Sequence, residues 1–188
     1  MDAHTRWAAL GTSSASARAY HARVAAMIAG GADLDAEARV VLELAPPPSR
    51  VLDAGCGTGR IAATLTRAGC DVVGVDADPH MIGVADETDP ATTHVVADLS
   101  TLELPGQAFD LVLLAGNVVP YLADGTLHAV LKRLAAHLRP GGHLLAVHWL
   151  REAPEYPVEG GAVHDELADR PGLARIVRHD EADFRLEV

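Results

Sequence analysis

Asp53 ends a short apolar run, and glycines follow at positions 55, 57 and 59, giving D-x-G-x-G-x-G within Val51-Leu52-Asp53-Ala54-Gly55-Cys56-Gly57-Thr58-Gly59-Arg60. Three missing Cβ atoms in one strand-to-helix turn let the backbone adopt φ > 0 and lie close against a ligand. The spacing departs by one residue from the G-x-G-x-x-G dinucleotide fingerprint. A second acid, Asp76, closes the run Val72-Val73-Gly74-Val75, seventeen positions beyond Gly59. An acid about there takes ribose hydroxyls in nucleotide-binding α/β folds, and a carboxylate accepts from both hydroxyls through charge-assisted bonds. A third acid, Asp98, follows Val95-Val96-Ala97, and Leu99 comes next. Asp78-Pro79 reads instead as a helix cap with proline at the first helical position. Asn117 and Tyr121 follow the apolar run that ends at Ala115, and His148-Trp149 ends another. There is no H-E-x-x-H, C-x-x-C or G-x-S-x-G pattern, so neither a metal site nor a serine nucleophile is expected. Cys56 and Cys70 suggest no disulfide framework.

Alternating strands and helices must position these groups. The patterns predict strands at Arg50–Asp53, Val72–Asp76, His94–Ala97, Phe109–Ala115 and His143–Leu150. Helices are expected over Thr58–Ala68, after Asp78, and over Thr126–Leu138, with Arg139-Pro140-Gly141-Gly142 as a turn. Such alternation argues for right-handed βαβ units and a parallel sheet. Before Pro46-Pro47-Pro48, helical patterns run from about Ser16 to Ile28 and onward from an Asp35 cap; the first dozen residues read as loose. Leu173–His179 and Asp183–Val188 read as an antiparallel hairpin.

The chain has 188 residues, 49% hydrophobic and 22% charged, and a net charge of −11. Those values predict one domain over residues 1–188. With no clustered Lys and Arg, a nucleic-acid partner is disfavoured. No signal peptide or 18-residue apolar run is present, so a soluble cytoplasmic protein without membrane partner is expected, as monomer or homodimer.

The glycine loop, Asp76, Asp98 and the fourth strand leading to Pro140-Gly141-Gly142 together resemble the class I S-adenosylmethionine (SAM) dependent methyltransferases over roughly residues 50–150. The resemblance implies a Rossmann-like, doubly wound, seven-stranded sheet, mostly parallel, with the antiparallel last strand inserted beside the fifth. It implies SAM as cofactor and S-adenosylhomocysteine as product, with residues 46–188 as the core; residues 1–45, whose helix carries Tyr20, His21 and Arg23, read as a helical lid over the cleft. Asp53, Gly55, Cys56, Gly57 and Gly59 would meet the methionine and ribose portions, Asp76 and Ala77 the ribose, Asp98 and Leu99 the adenine, and Ala115 the methionine end. Asn117, Tyr121 and His148 would face the methyl group as catalytic candidates. Asn117…Tyr121 fails to match the Asn-Pro-Pro-Tyr motif of DNA methyltransferases, because Val118-Val119 stands where Pro-Pro should begin. Glu155-Tyr156-Pro157 is loosely similar to nodulation-type N-methyltransferases acting on amino sugars. The expected reaction is methyl transfer to a nitrogen or oxygen of a small molecule. A non-catalytic SAM-binding module and, less favoured by the loop spacing, an NAD-dependent oxidoreductase remain as alternatives.

Overall fold

The computed structural model describes residues 5–149, 173–179 and 183–187. In chain order they form α1 (Arg6–Ala9), α2 (Ser14–Ala29), α3 (Ala36–Leu44), β1 (Arg50–Ala54), α4 (Arg60–Arg67), β2 (Asp71–Asp76), α5 (Pro79–Thr88), β3 (Thr93–Val96), β4 (Phe109–Leu114), α6 (Leu127–Ala136), β5 (Leu138–Trp149), β6 (Leu173–His179) and β7 (Asp183–Glu187), with one 3₁₀ turn at Val119–Tyr121. The strands lie in the order β3-β2-β1-β4-β5-β6-β7. All pairings among β1 to β5 are parallel, as the strand–helix alternation predicts, in the Rossmann-like arrangement that the resemblance implies.

Side chains alternate between two cores. Leu52, Val73, Val112, Leu114 and Leu144 pack with Leu131 and Leu134 of α6 on one face. Val51, Val72, Leu111, Leu113 and Leu145 pack with Val41 of α3 and Ile61 and Leu65 of α4 on the other. Every residue of β4 is buried, which explains its apolar run Leu111–Leu114, because a strand covered on both faces has no solvent side to alternate with; the one charged residue, Asp110, accepts from the Arg50 amide and pairs with Arg139. Each buried Leu or Val contributes about 1.5–3 kcal/mol relative to exposure. His137 is structural. It is buried, its Nδ1 lies 2.7 Å from the Arg133 carbonyl, and its Nε2 accepts from the Leu104 amide.

Three expectations need correction. The first dozen residues are not all loose, because α1 forms and Thr5 caps it by accepting from the Ala8 amide. The Arg139–Gly142 segment is not a turn preceding the strand. It lies within β5, where pairing jumps from Phe109↔Leu138 to Leu111↔His143. Gly141, at φ +80°, lets the backbone bulge there. Nor is the last strand inserted beside the fifth. β6 takes that place and runs parallel to β5, and β7 pairs with it antiparallel at the edge. The connection from β6 to β7 spans only residues 180–182, and so short a link joins antiparallel neighbours. With β6 seated on β5, β7 is left at the rim.

Candidate functional site

A cavity of about 320 Å³ opens at the carboxyl ends of β1, β2 and β4, the end of an open α/β sheet where ligands bind. Its lining includes Gly55, Gly57, Asp76, Ala77, Asp98 and Leu99 on one wall and Asn117, Val118 and Tyr121 on the other. Trp7, Tyr20 and Arg23 reach it from α1 and α2. The volume falls in the range of ligand sites, roughly 300–1,000 Å³.

The three glycines of the loop do different things. At Gly57, φ is +56° and nothing lies within 4 Å of where a Cβ would project, so the loop stays open there. At Gly55, φ is +84° and a Cβ would fall 2.2 Å from Val118 Cγ2. That glycine admits the loop after β4 as much as any ligand. A Cβ on Gly59 would meet Ala85 at 3.1 Å and His94 Nε2 at 3.2 Å. Gly59 serves the packing of α4 and does not line the cavity, although it starts the helix in the left-handed region. Cys56 is also turned away. Its Sγ would lie 3.0 Å from a Cβ at Gly74, and burial, with Asp53 and Asp76 adding, pushes its thiol well above the usual range.

The acids are held by backbone amides. Asp76 Oδ2 accepts from Gly57 N and Oδ1 from Asp78 N, both at 2.9 Å. Burial raises its carboxyl above the ordinary range, and those amides oppose the rise. Asp98 Oδ1 accepts from both the amide and hydroxyl of Ser100 at 2.7 Å. Asp53 lies beneath the loop, outside the cavity lining, 2% exposed. Burial, opposed chiefly by Arg60, pushes it up to about 7. Ala115 is buried in the core and does not line the cavity.

On the opposite wall, Gly116 and Asn117 both take positive φ, +76° and +64°. Asparagine tolerates that region better than most residues. The turn brings Asn117 and Tyr121 to the cavity together. His148 pairs with Val177 through its backbone in β5, but its side chain lies outside the described residues, as do residues 155–157.

The sequence reading missed Trp7. Its indole Nε1 donates to Asp78 Oδ2 at 2.8 Å, and its ring meets Tyr121 edge-on at 5.0 Å. Asp78 therefore caps α5, accepting from His80 N at 2.8 Å, and also fastens α1. Arg6 adds an ion pair to Asp124. The available signal was compositional: Trp7 is one of two tryptophans in a chain only 4% aromatic. Met81, Val118 and Leu122 also line the cavity and read in sequence as ordinary apolar residues.

The model of a methyltransferase domain matches residues 51–142. A TehB-like SAM-dependent methyltransferase from Corynebacterium glutamicum is 34% identical, with 80% of each chain covered and a TM-score of 0.71. The chain belongs to the class I SAM-dependent methyltransferases. The sugar N-methyltransferase KedS8 from Streptoalloteichus sp. is 34% identical over 69% of this chain and 53% of that one, with a TM-score of 0.57. A malonyl-[acyl-carrier protein] O-methyltransferase from Enterobacter lignolyticus is 38% identical over 51% of this chain and 37% of its own length. The chain spans less than half the length of that enzyme and of the ribosomal protein L11 methyltransferase it also matches.

The methyltransferase cofactor suits the residues present. Gly57 leaves room for it, two carboxylates and Leu99 line one wall, and Asp53 Oδ2 is buried without a hydrogen-bond partner. Among the described residues no cluster of His, Cys, Asp and Glu could hold a metal ion. No described helix is long and apolar enough to cross a membrane.

Proposed function

We propose that this chain catalyses methyl transfer from SAM to a nitrogen or oxygen of a small-molecule acceptor. The carrying observation is the single cavity joining Gly57, Asp76, Asp98 and Leu99 to Asn117, Tyr121 and Trp7. Asp76 would accept from ribose hydroxyls, with Ala77 beside it. Asp98 would accept from the adenine amine, and Leu99 would pack on the ring. The backbone at Gly55 and Gly57, with Asp53 beneath, would hold the methionine portion.

Bound SAM supplies a methyl group already activated on a sulfonium. The protein's remaining task is to orient a nucleophile and exclude water. Positioning of that kind lowers a barrier by up to about 7–11 kcal/mol. Trp7, Tyr20 and Tyr121 give the acceptor side an aromatic enclosure, which suits a compact molecule. Asn117, at its turn after β4, would hydrogen-bond an acceptor, and Tyr121 would hold one in position. His148 is the proposed base for acceptors that must lose a proton. Neighbours named as sugar N-methyltransferases and relatives named as O-methyltransferases support nitrogen or oxygen as the receiving atom. We read residues 1–45 as a lid over a core formed by residues 46–188.

The test has two stages. S-adenosylhomocysteine should raise the melting temperature, because a ligand that binds only the folded state stabilises it by mass action; NAD should not. Methyl-labelled SAM is then incubated with panels of amino sugars, other amines and hydroxyl compounds. Stabilisation by NAD alone would overturn the methyltransferase reading. Binding of S-adenosylhomocysteine with no transfer to any panel, but transfer to a carrier-protein thioester, would overturn the small-molecule assignment.

A further inference from the structure

Beneath the glycine loop lies a buried charge cluster that the proposed reaction leaves unexplained. Asp53 is the next-to-last residue of β1, Arg60 opens α4, and Glu37, in the first turn of α3, reaches Arg60. Asp53 Oδ2 and Arg60 Nη1 are both buried, and neither has a hydrogen-bond partner. Arg60 Nη2 stands 4.0 Å from Glu37 Oε2, with side-chain exposures of 23% and 10%. A buried carboxylate and a half-buried guanidinium, each with one buried atom short of a partner, are costly. Their persistence on the two sides of one ligand-facing loop calls for a role beyond stability.

We propose that Arg60 is a positioning residue, biasing the Asp53 carboxyl under the glycine loop toward its ionised form so that it attracts the ammonium end of the ligand's methionine portion, while Glu37 anchors the guanidinium. The identity of that ligand rests on the methyltransferase reading above. The groups facing Asp53 are Arg60, which favours its charged form, and Glu37 and Asp76, which disfavour it; the Ala62 amide also favours the charge. The neighbouring Cys56 thiol is held neutral. Arg60 is thus the one cation among the groups acting on Asp53. Burial alone would leave the carboxyl neutral and unable to attract a cation.

Two readouts test this on the full chain. The first is carboxyl ¹³C NMR titration of Asp53 without ligand, in the wild type, Arg60→Met and Arg60→Lys. The second is calorimetric affinity for S-adenosylhomocysteine across the same pH range, with Asp53→Asn as a fourth protein. Removing the cation should raise the Asp53 titration by about one pH unit or more. The low-pH loss of affinity should move with it, weakening binding several-fold near neutrality. Arg60→Lys should stay near the wild type in both readouts, and Asp53→Asn should lose the pH dependence. If Arg60→Met does not fold, Arg60→Gln carries the same comparison. An unmoved Asp53 titration, or a moved titration with an unchanged affinity profile, overturns the proposal. If the wild type binds no S-adenosylhomocysteine, the methyltransferase reading falls and the NMR arm still judges Arg60.

Discussion

The two walls of the cavity are assembled differently. One comes from a continuous stretch, residues 55–100, in which successive strand ends deliver Gly57, Asp76 and Asp98, and backbone amides of the same stretch hold the carboxylates. The other joins residues 116–122 to Trp7 and Tyr20, more than ninety positions earlier in the chain. Its contacts are made by side chains, among them Trp7 with Asp78 and with Tyr121. A wall built locally from glycines and strand ends presents the same groups to the same kind of ligand. A wall tied together by remote side chains can change its occupant without disturbing the sheet.

Gly55→Ala should break this division most severely, because Gly55 is where the glycine loop packs against Val118 of the other wall. Its positive φ and the 2.2 Å approach to Val118 together predict a loss of roughly 2–4 kcal/mol in urea unfolding. Adding Val118→Ala should recover the part due to the clash and leave the part due to φ. Full recovery would mean that the backbone is unstrained.

Asp53 sharpens the comparison through pH. Its carboxyl titrates at about 7 in the folded protein against an ordinary value of 3.8, so the folded state holds the proton more tightly. The associated stability is complete below about pH 3.8 and is lost as pH rises through about 7. Asp53→Asn should therefore stabilise the protein at pH 8, with little effect at pH 4, while weakening cofactor binding. Unfolding curves at the two pH values check the sign. Destabilisation by Asp53→Asn at pH 8 would mean that the carboxylate is well paired where it lies.

Asp76→Ala should weaken S-adenosylhomocysteine binding roughly ten- to a hundredfold, the worth of charge-assisted hydrogen bonds at about 1.5–3 kcal/mol. Asp78→Ala should cost about 1 kcal/mol of stability from the lost cap and release Trp7, with cofactor affinity nearly unchanged. Calorimetry on both variants decides. A larger affinity loss from Asp78→Ala would merge the two walls into one unit.

The smallest expected effect is that of Trp7→Phe. The ring still meets Tyr121, but the bond to the Asp78 carboxylate is gone, at about 1.5 kcal/mol, the low end for a charged partner. Turnover should fall while S-adenosylhomocysteine affinity holds. Equal losses in both would place Trp7 against the cofactor rather than the acceptor.

Much of the first wall was legible because its signals are short-range. A strand-end acid, an alternating glycine triplet and the Asp78-Pro79 cap each act within a few residues of themselves. What the motif could not say is which glycine does what. Gly55 faces Val118, Gly59 faces Ala85 and His94, and only Gly57 stands clear. Cys56 and Gly59 share the motif with Gly57, yet neither lines the cavity. The strand beside β5 was misassigned for a related reason. Hairpin patterning identifies two neighbours but not which of them joins the rest of the sheet.

By itself, the sequence determined the alternation of strands and helices, the parallel direction of the central strands and the three acids at their ends. Hydrophobic period and turn chemistry act locally, so they can be read residue by residue. Only the tertiary structure decided that Trp7 closes the cavity, that Asp78 serves both a cap and a tether, and that Glu37 meets Arg60 beneath the loop. Those contacts join residues far apart in the chain. Their free energy exists only after the sheet has formed and brought the partners together.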